Sequence, residues 1–216
     1  MSLPMVDDTA GGGRAEDATG EGPSAARAAE ATRRRLTPKQ AAVVDRLVAA
    51  AADEARERGY EGTTVRSAAK RAGLSPATAY TYFASKDHLL AEVLWRRMDA
   101  LPGVVHAPGA DTLDRVAAEL SLLSLFMADD TKLAAACTTA LLGSGPDVTA
   151  LRVRFGAELN VRLAAALGDA ADARVLQGLD LAWSGAMLWA GMGHIPFDEV
   201  PDALAGVARL LLAGTR

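Results

Sequence analysis

The sequence predicts an all-α fold: an N-terminal three-helix, helix-turn-helix domain, then a larger C-terminal helical domain. Three observations carry this. Apolar residues recur at helical spacing through nearly every segment beyond residue 37, and no segment alternates with period two over a useful length. Residues 59–90, GYEGTTVRSAAKRAGLSPATAYTYFASKDHLL, read as two short helices joined by a Gly-centred turn, with a third helix at once behind. A Pro/Gly-rich stretch, LPGVVHAPGA at 101–110, separates that unit from the rest. The expected division is a disordered tail over 1–36 with a basic end, the helix-turn-helix domain over 37–84, and the helical regulatory and dimerisation domain over 85–216.

Residues 1–32 are Gly, Ala, acidic and hydroxyl side chains with almost no large apolar ones. Such a segment buries too little surface to offset ordering entropy. Arg33, Arg34 and Arg35 follow, either an arm touching DNA phosphates or a minor groove, or a solvated charge run. The first long helix is expected from Pro38 to Arg58, with Thr37 as its cap, an inner stripe of Leu47, Val48, Ala51 and Ala55, and Gly59 ending it. Thr63 or Thr64 caps the next, whose Val65, Ala68, Ala69 and Ala72 share a face. Gly73 stands where a left-handed C′ residue is needed, and Leu74 plugs the angle beyond it. Ser75 is the N-cap and Pro76 the N1 residue of the second short helix, Pro76–Phe83, where a missing N–H costs nothing. A fourth helix runs over about 85–100.

Beyond the connector, helical periodicity marks 111–128, 130–142, 148–167, 172–193 and 197–214, with GSGPD at 143–147 as a turn. The helix at 172–193 is apolar over much of its circumference and so demands burial on both sides, against its own chain and against a second copy. Its small residues Gly178, Gly185, Ala186 and Ala190 permit close approach. Val200, Leu204, Val207 and Leu211 form a seam on the last helix. Two such helices and their symmetry mates would make a four-helix bundle, so a homodimer through the last two helices is expected; the alternative is a monomeric core.

Net charge is −4 over 216 residues, which by itself argues against nucleic acid. Its distribution argues the other way: residues 1–32 carry −4, residues 33–97 carry +6 and residues 98–216 carry −6. The basic segment coincides with the helix-turn-helix. Half the residues are hydrophobic, enough for a sizeable core. With one cysteine, Cys137, no intrachain disulfide forms, as suits a reducing compartment. No run of about 18 uncharged apolar residues exists, and MSLPMVDD lacks the basic and apolar regions of a signal peptide. A cytoplasmic location with no membrane partner is the expectation.

The run GLSPATAYTYFASKDHLL, residues 73–90, resembles the recognition segment of the TetR family of bacterial transcriptional repressors. It has Gly, apolar, Ser, two variable residues, Thr, apolar, Tyr, any, Tyr-Phe, any, Ser-Lys-acid, any, Leu-Leu. The likeness extends upstream through Arg46-Leu47-Val48, Ala50-Ala51 and Gly59-Tyr60, and so covers about Arg46 to Leu94. Ala55 departs from it, standing where the family usually has a large apolar residue, which implies looser packing of the first helix. The resemblance implies a repressor that reads double-stranded operator DNA and is released by a small molecule held among the middle helices of the C-terminal domain. Residues 179–214 also resemble actinobacterial members that regulate sterol and lipid catabolism.

Chemistry and resemblance agree on the DNA-binding residues. Thr64 at a helix N-terminus, the Tyr80 and Tyr82 hydroxyls and the Lys86 ammonium suit phosphate. Arg66, Pro76, Ala77, Thr78 and Thr81 are the candidates for base edges, Arg66 for guanine and the short side chains for thymine methyls. Core packing is the competing reading for Tyr80 and the expected one for Phe83. A hydrophobic ligand would be lined by Phe126, Met127, Cys137, Phe155, Trp183, Met187 and Met192, large or pliable apolar side chains; an ordinary core is the alternative. No enzyme constellation is present. His88, His106 and His194 are scattered without metal-ligand spacing, His88 reading as a solvated or capping residue and His194 as local structure. Cys137 has no nearby His, and no phosphate loop or Gly-x-Ser-x-Gly turn occurs. No cofactor or metal is expected. The remaining alternatives are a helical DNA-binding dimer without a ligand, and a helical enzyme.

Overall fold

The computed structural model describes residues 36–214, so the expected tail and the Arg33–Arg35 arm lie outside the described residues. Among those described there is no strand. The helices are α1 (Pro38–Gly62), α2 (Val65–Arg71), α3 (Pro76–Tyr82), α4 (Lys86–Asp99), α5 (Thr112–Leu125), α6 (Thr131–Leu141), α7 (Pro146–Leu167), α8 (Ala173–Gly191) and α9 (Val200–Ala213), with single 3₁₀ turns before α6, α8 and α9.

Local chemistry sets most boundaries. Thr37 accepts from the Gln40 N–H while Gln40 returns a bond to the Thr37 N–H, a complete capping box ahead of Pro38. Gly59 takes φ 67° and breaks α1, but a further turn follows, so α1 reaches Gly62 rather than stopping at Gly59. The inner stripe is as expected: Leu47, Ala51 and Ala55 are fully buried and Val48 nearly so. Ala55 packs without loss because α1 lies close to α2, α4 and α6, where a larger side chain would hold the helices apart.

Three other boundaries move. α5 ends at Leu125, and Phe126 and Met127 turn the chain into a 3₁₀ segment. The turn before α7 is shorter than expected, because Pro146 begins the helix at N1. The last segment opens as a 3₁₀ turn over Phe197–Glu199 before α9.

One continuous buried apolar cluster runs from Leu47 and Phe83 through Leu90, Trp95 and Leu133 to Leu163 and Leu204. α6 sits at its centre, packing on α1, α4, α7 and α8, while α9 packs on α5 and α8. The 101–110 connector is held by Arg162, which donates to the Pro102 carbonyl at 2.7 Å and pairs with the buried Glu119. Arg115 closes its far end on the Ala110 and Ala166 carbonyls. No described helix is long and apolar enough to cross a membrane.

The fold turns the α9 seam inward. Val200 and Leu204 are buried within the chain, and Leu211 packs on Gly178 of α8. The expected seam is therefore intrachain, because α9 must first cover α5. α8 leaves apolar surface uncovered instead: Leu181 is 67% exposed and Trp189 57%, on one face with the open Gly185, and Leu210 of α9 is 76% exposed.

Candidate nucleic-acid interface

α2 and α3 are joined by a tight, fully bonded turn. Gly73, at φ 67°, donates to the Lys70 carbonyl at 3.1 Å, and Leu74 donates to the Ala69 carbonyl at 2.9 Å. Those two bonds are the Schellman pattern, which only a left-handed C′ residue completes. Leu74 packs half-buried against the core. Ser75 then accepts from the Thr78 N–H at 3.1 Å and starts α3 with Pro76 at N1. Thr64, not Thr63, caps α2: it accepts from the Ser67 N–H at 2.9 Å in a second capping box. Thr63 is buried and bonds the Gly59 carbonyl at 2.7 Å.

α3 buries Ala79, and Phe83 beyond its end, while presenting Pro76, Ala77, Tyr80 and Thr81 to solvent. Phe83 is the core residue expected. Tyr80 is half exposed, which removes the core-packing reading for it. Tyr82 is half-buried against the core. Thr78 is engaged locally, 2.9 Å from the Ser75 hydroxyl, and Thr81 donates to the Ala77 carbonyl at 3.1 Å. Arg66 is exposed on α2 and in no ion pair among the described residues. The exposed face of this unit thus offers the Arg66 guanidinium, the Lys70 ammonium, a phenol and several short side chains, chemistry suited to a groove edge and its flanking phosphates.

Lys86 is less free than a phosphate contact would suggest. Its ammonium lies 3.7 Å from the centroid of the Tyr60 ring and donates to the Tyr60 carbonyl at 3.2 Å, with Glu61 at 3.9 Å. Tyr60 in turn donates to Asp87 at 2.6 Å, and burial followed by that carboxylate pushes its phenol up to about 12. Other cations of the segment hold helices together. Arg71 bridges Glu54, at 2.6 Å, and Glu57; Arg96 bridges Glu92 and Asp45. Burial works to raise the Glu54 carboxyl, but the bonds from Arg71 and Ser67 and the Arg58 charge outweigh it and hold the group below its ordinary value.

His88 corrects a second expectation. It is neither solvated nor a cap: its ring meets Phe83 edge-on at 5.1 Å and its Nδ1 lies 3.5 Å from Asp147 at the start of α7. Folding brings α7 across α4, which sequence spacing does not reveal. His194 is local structure as expected, with its ring 5.8 Å from that of Trp189. Among the described residues no His/Cys/Asp/Glu group could hold a metal.

An apolar cavity of about 420 Å³ opens between α6, α7 and α8. Phe126, Met127, Phe155, Trp183 and Met187 line it as expected. Cys137 does not: it is fully buried in the core, and burial pushes its thiol up to about 12. Met192 stands half exposed outside the lining. Sequence reasoning missed the rest of the wall, including Leu94, Thr138, Arg152, Asp180 and Ser184 from four separate helices. No local signal marks them, because only helix packing decides which polar residues edge a cavity.

The cavity and the α1–α3 unit share α6. Ala134, Thr138 and Leu141 of α6 form cavity wall. Just before α6, Asp130 accepts from Arg56 of α1 at 2.6 Å and from Arg97 of α4 at 3.3 Å. Arg97 also approaches the Met127 sulfur at 3.3 Å, and Met127 is cavity lining. Lys132 donates to the Glu57 carbonyl at 2.7 Å. Past the other end of α6, the Gly143 backbone lies so near Asp87 that a Cβ there would stand 2.9 Å from its carboxylate.

A profile for bacterial regulatory proteins of the tetR family matches residues 47–93. The chain is 42% identical over 178 residues to an uncharacterized HTH-type transcriptional regulator of Mycobacterium tuberculosis, covering 82% of this chain and 83% of that protein. It is 31% identical over 116 residues to the HTH-type transcriptional repressor KstR of Rhodococcus jostii, covering 53% and 55%. Among solved structures, a TetR transcriptional regulator from Rhodococcus sp. RHA1 superposes with a TM-score of 0.67 at 22% identity, over 82% of this chain and 98% of that one. A second transcriptional regulator from the same organism gives 0.62 at 26% identity, over 79% and 96%.

Proposed function

The chain belongs to the tetR family of bacterial regulatory proteins and is a helix-turn-helix transcriptional regulator, and from that premise we propose that it is a dimeric repressor released from its operator by an apolar small molecule. The residues proposed to meet DNA are Thr64, Arg66, Pro76, Ala77, Thr78, Tyr80, Thr81, Tyr82 and Lys86. Arg66 and the exposed face of α3 read base edges; Tyr80, Tyr82, Lys86 and the N-terminus of α2 meet phosphates. Two copies pair through the uncovered faces of α8 and α9, around Leu181, Gly185, Trp189 and Leu210, and so present two recognition helices to a two-fold site.

The observation that carries the release step is the position of α6. Its middle is cavity wall, its N-terminal end is fastened to Arg56 and Glu57 of α1, and its C-terminal end lies against Asp87 of α4, which holds Tyr60 of α1. A ligand that displaces α6 therefore moves the attachment of α1 and α4. Release needs a ligand that prefers the displaced arrangement; a 100-fold preference corresponds to about 2.7 kcal/mol of coupling. That the R. jostii relative is named a repressor supports the direction of regulation.

The test is binding of the full chain to the DNA upstream of its own gene, followed by anisotropy across salt concentrations. Saturable binding that weakens with salt and exceeds binding to random DNA is the expected result. Equal affinity for both DNAs would overturn sequence-specific regulation.

A further inference from the structure

The Lys86 ammonium is held in place by one short stretch of chain. It donates to the Tyr60 carbonyl at 3.2 Å, stands 3.7 Å from the centroid of the Tyr60 ring and has Glu61 at 3.9 Å. An ammonium has three N–H donors, so the bond to Tyr60 leaves two, and 28% of the Lys86 side chain stays exposed. Lysine is otherwise a point charge on a flexible stem; here the stem is fixed before any anion arrives. Tyr60 is itself fixed. Gly59, at φ 67°, breaks α1 just ahead of it. The Tyr60 side chain packs half-buried against the core, and its hydroxyl donates to Asp87 at 2.6 Å. With the phenol pushed up to about 12, that donor keeps its proton at neutral pH.

Resting on the reading of Lys86 as a phosphate contact, we propose that Tyr60 is its positioning residue, and that the Asp87–Tyr60 bond makes this positioning answer to the cavity wall. Arg152, a lining residue of the cavity, donates to the Leu141 and Gly143 carbonyls at 2.6 Å each. Gly143 lies so close to α4 that a Cβ there would meet the Asp87 carboxylate at 2.9 Å and the Ala140 carbonyl at 3.1 Å. Asp87 takes the Tyr60 hydroxyl, and the Tyr60 carbonyl and ring take Lys86. A shift of the turn between α6 and α7 therefore presses on Asp87 and lengthens the bond that fixes Tyr60. The ammonium then regains freedom, and a phosphate contact must again bear the cost of ordering the side chain. A cation that meets phosphate carries no sequence information. The turn thus sets affinity for every sequence and leaves base preference to Arg66 and α3.

The experiment titrates the full-length protein with labelled duplexes, the DNA upstream of its own gene and a random sequence, across salt concentrations. Lys86→Ala sets the reference, a salt slope lower by about one on both duplexes. Tyr60→Leu removes ring and hydroxyl and is expected to lower the slope in the same way, while adding less than about a twofold loss on top of Lys86→Ala. Tyr60→Phe keeps the ring and loses only the hydroxyl; it is expected to weaken both duplexes by up to about fivefold, the worth of one net hydrogen bond. Gly143→Ala is expected to do the same, and the two together no more than either alone. In a spectrum of carbon-labelled tyrosine, Gly143→Ala should move the Tyr60 resonance and leave those of Tyr80 and Tyr82 in place. If Tyr60→Leu does not fold, Tyr60→Phe set against Lys86→Ala makes the same comparison. A wild-type slope in Tyr60→Leu, or an equal loss with and without Lys86, overturns the positioning role. Losses from Tyr60→Phe and Gly143→Ala that multiply overturn the link to the cavity wall. An unchanged slope in Lys86→Ala itself overturns the reading of Lys86 as a phosphate contact, and this inference with it.

Discussion

The Asp130 carboxylate, one residue ahead of α6, accepts the Arg56 Nε–H of α1 at 2.6 Å and also holds Arg97 of α4. These residues are separated by 74 and 33 positions in sequence, and the contact fastens the helix that walls the cavity to the helices that carry the α2–α3 unit. Met127 touches Arg97 from the cavity side. A double-mutant cycle of Met127→Ala and Asp130→Asn, read as operator affinity, is expected to show a coupling of about 1 kcal/mol, as for contacting residues in one network. Additivity within about 0.3 kcal/mol would mean that the cavity wall and the α1 anchor act independently.

DNA contacts divide by chemistry. Arg66→Ala is expected to cost about 1–3 kcal/mol on the best site and to blur base preference. Lys86→Ala is expected to weaken all sequences alike and lower the salt slope by about one. Because the Lys86 ammonium sits on Tyr60, its loss has a second readout: a lower melting temperature with an unchanged salt slope would make it a tether between α1 and α4 rather than a phosphate contact.

The uncovered faces of α8 and α9 set the third expectation. Leu181→Asp and Leu210→Asp place charge on side chains that are 67% and 76% exposed within one subunit, so each subunit folds and pairing is lost. Light scattering should report the monomer mass and operator affinity should fall steeply. A dimer surviving both changes would put the interface elsewhere. Leu211 is unsuited to this test, since it packs inside the chain on Gly178.

Glu54 makes stability depend on acid. Its carboxyl lies below the ordinary 4.5 in the folded chain, so it contributes stability above that value and loses the contribution as pH falls through its folded-state pKa. Arg71→Ala leaves this 3% exposed carboxylate with the Ser67 hydroxyl and the weaker Arg58 contact and is expected to lower the melting temperature at neutral pH. Urea melts from pH 7 down to 3 should show the gap between wild type and variant closing as the pH drops. A constant gap would show that Glu54 stays ionised throughout.

Filling the cavity should silence the ligand response. Met187→Trp adds volume at a lining residue and is expected to abolish ligand-dependent release and melting shifts while operator affinity stays within about threefold, a change below 1 kcal/mol. Cys137→Trp is not an equivalent probe, because Cys137 lies in the packed core and overpacking there costs about 1–3 kcal/mol.

The caps of the first helices and the recognition turn were legible in the chain because they are local: Thr37, Thr64, Gly73, Ser75 and Pro76 act on backbone groups within a few residues of themselves. Phe83 was expected in the core, whereas Tyr80 stayed open between core and phosphate until packing left it half exposed. The cavity was half legible. Its large apolar members stood out by type, whereas Leu94, Thr138, Arg152, Asp180 and Ser184 carry no local mark of where they point.

By itself, then, the sequence determined an all-helical chain with a basic helix-turn-helix, since period, capping and turn chemistry are short-range properties, and the run at 73–90 carried the resemblance to its family. Only the tertiary structure decided which apolar stripe faced inward. Helical period marks an apolar face without saying what covers it, and α5 took Val200 and Leu204 of α9 before any partner could. Packing alone also set Asp130 between Arg56 and Arg97, placed His88 against Asp147, and left Trp183 with a donor facing no acceptor. These contacts join residues far apart in the chain, and their partners are chosen by helix-on-helix geometry that no window of sequence contains.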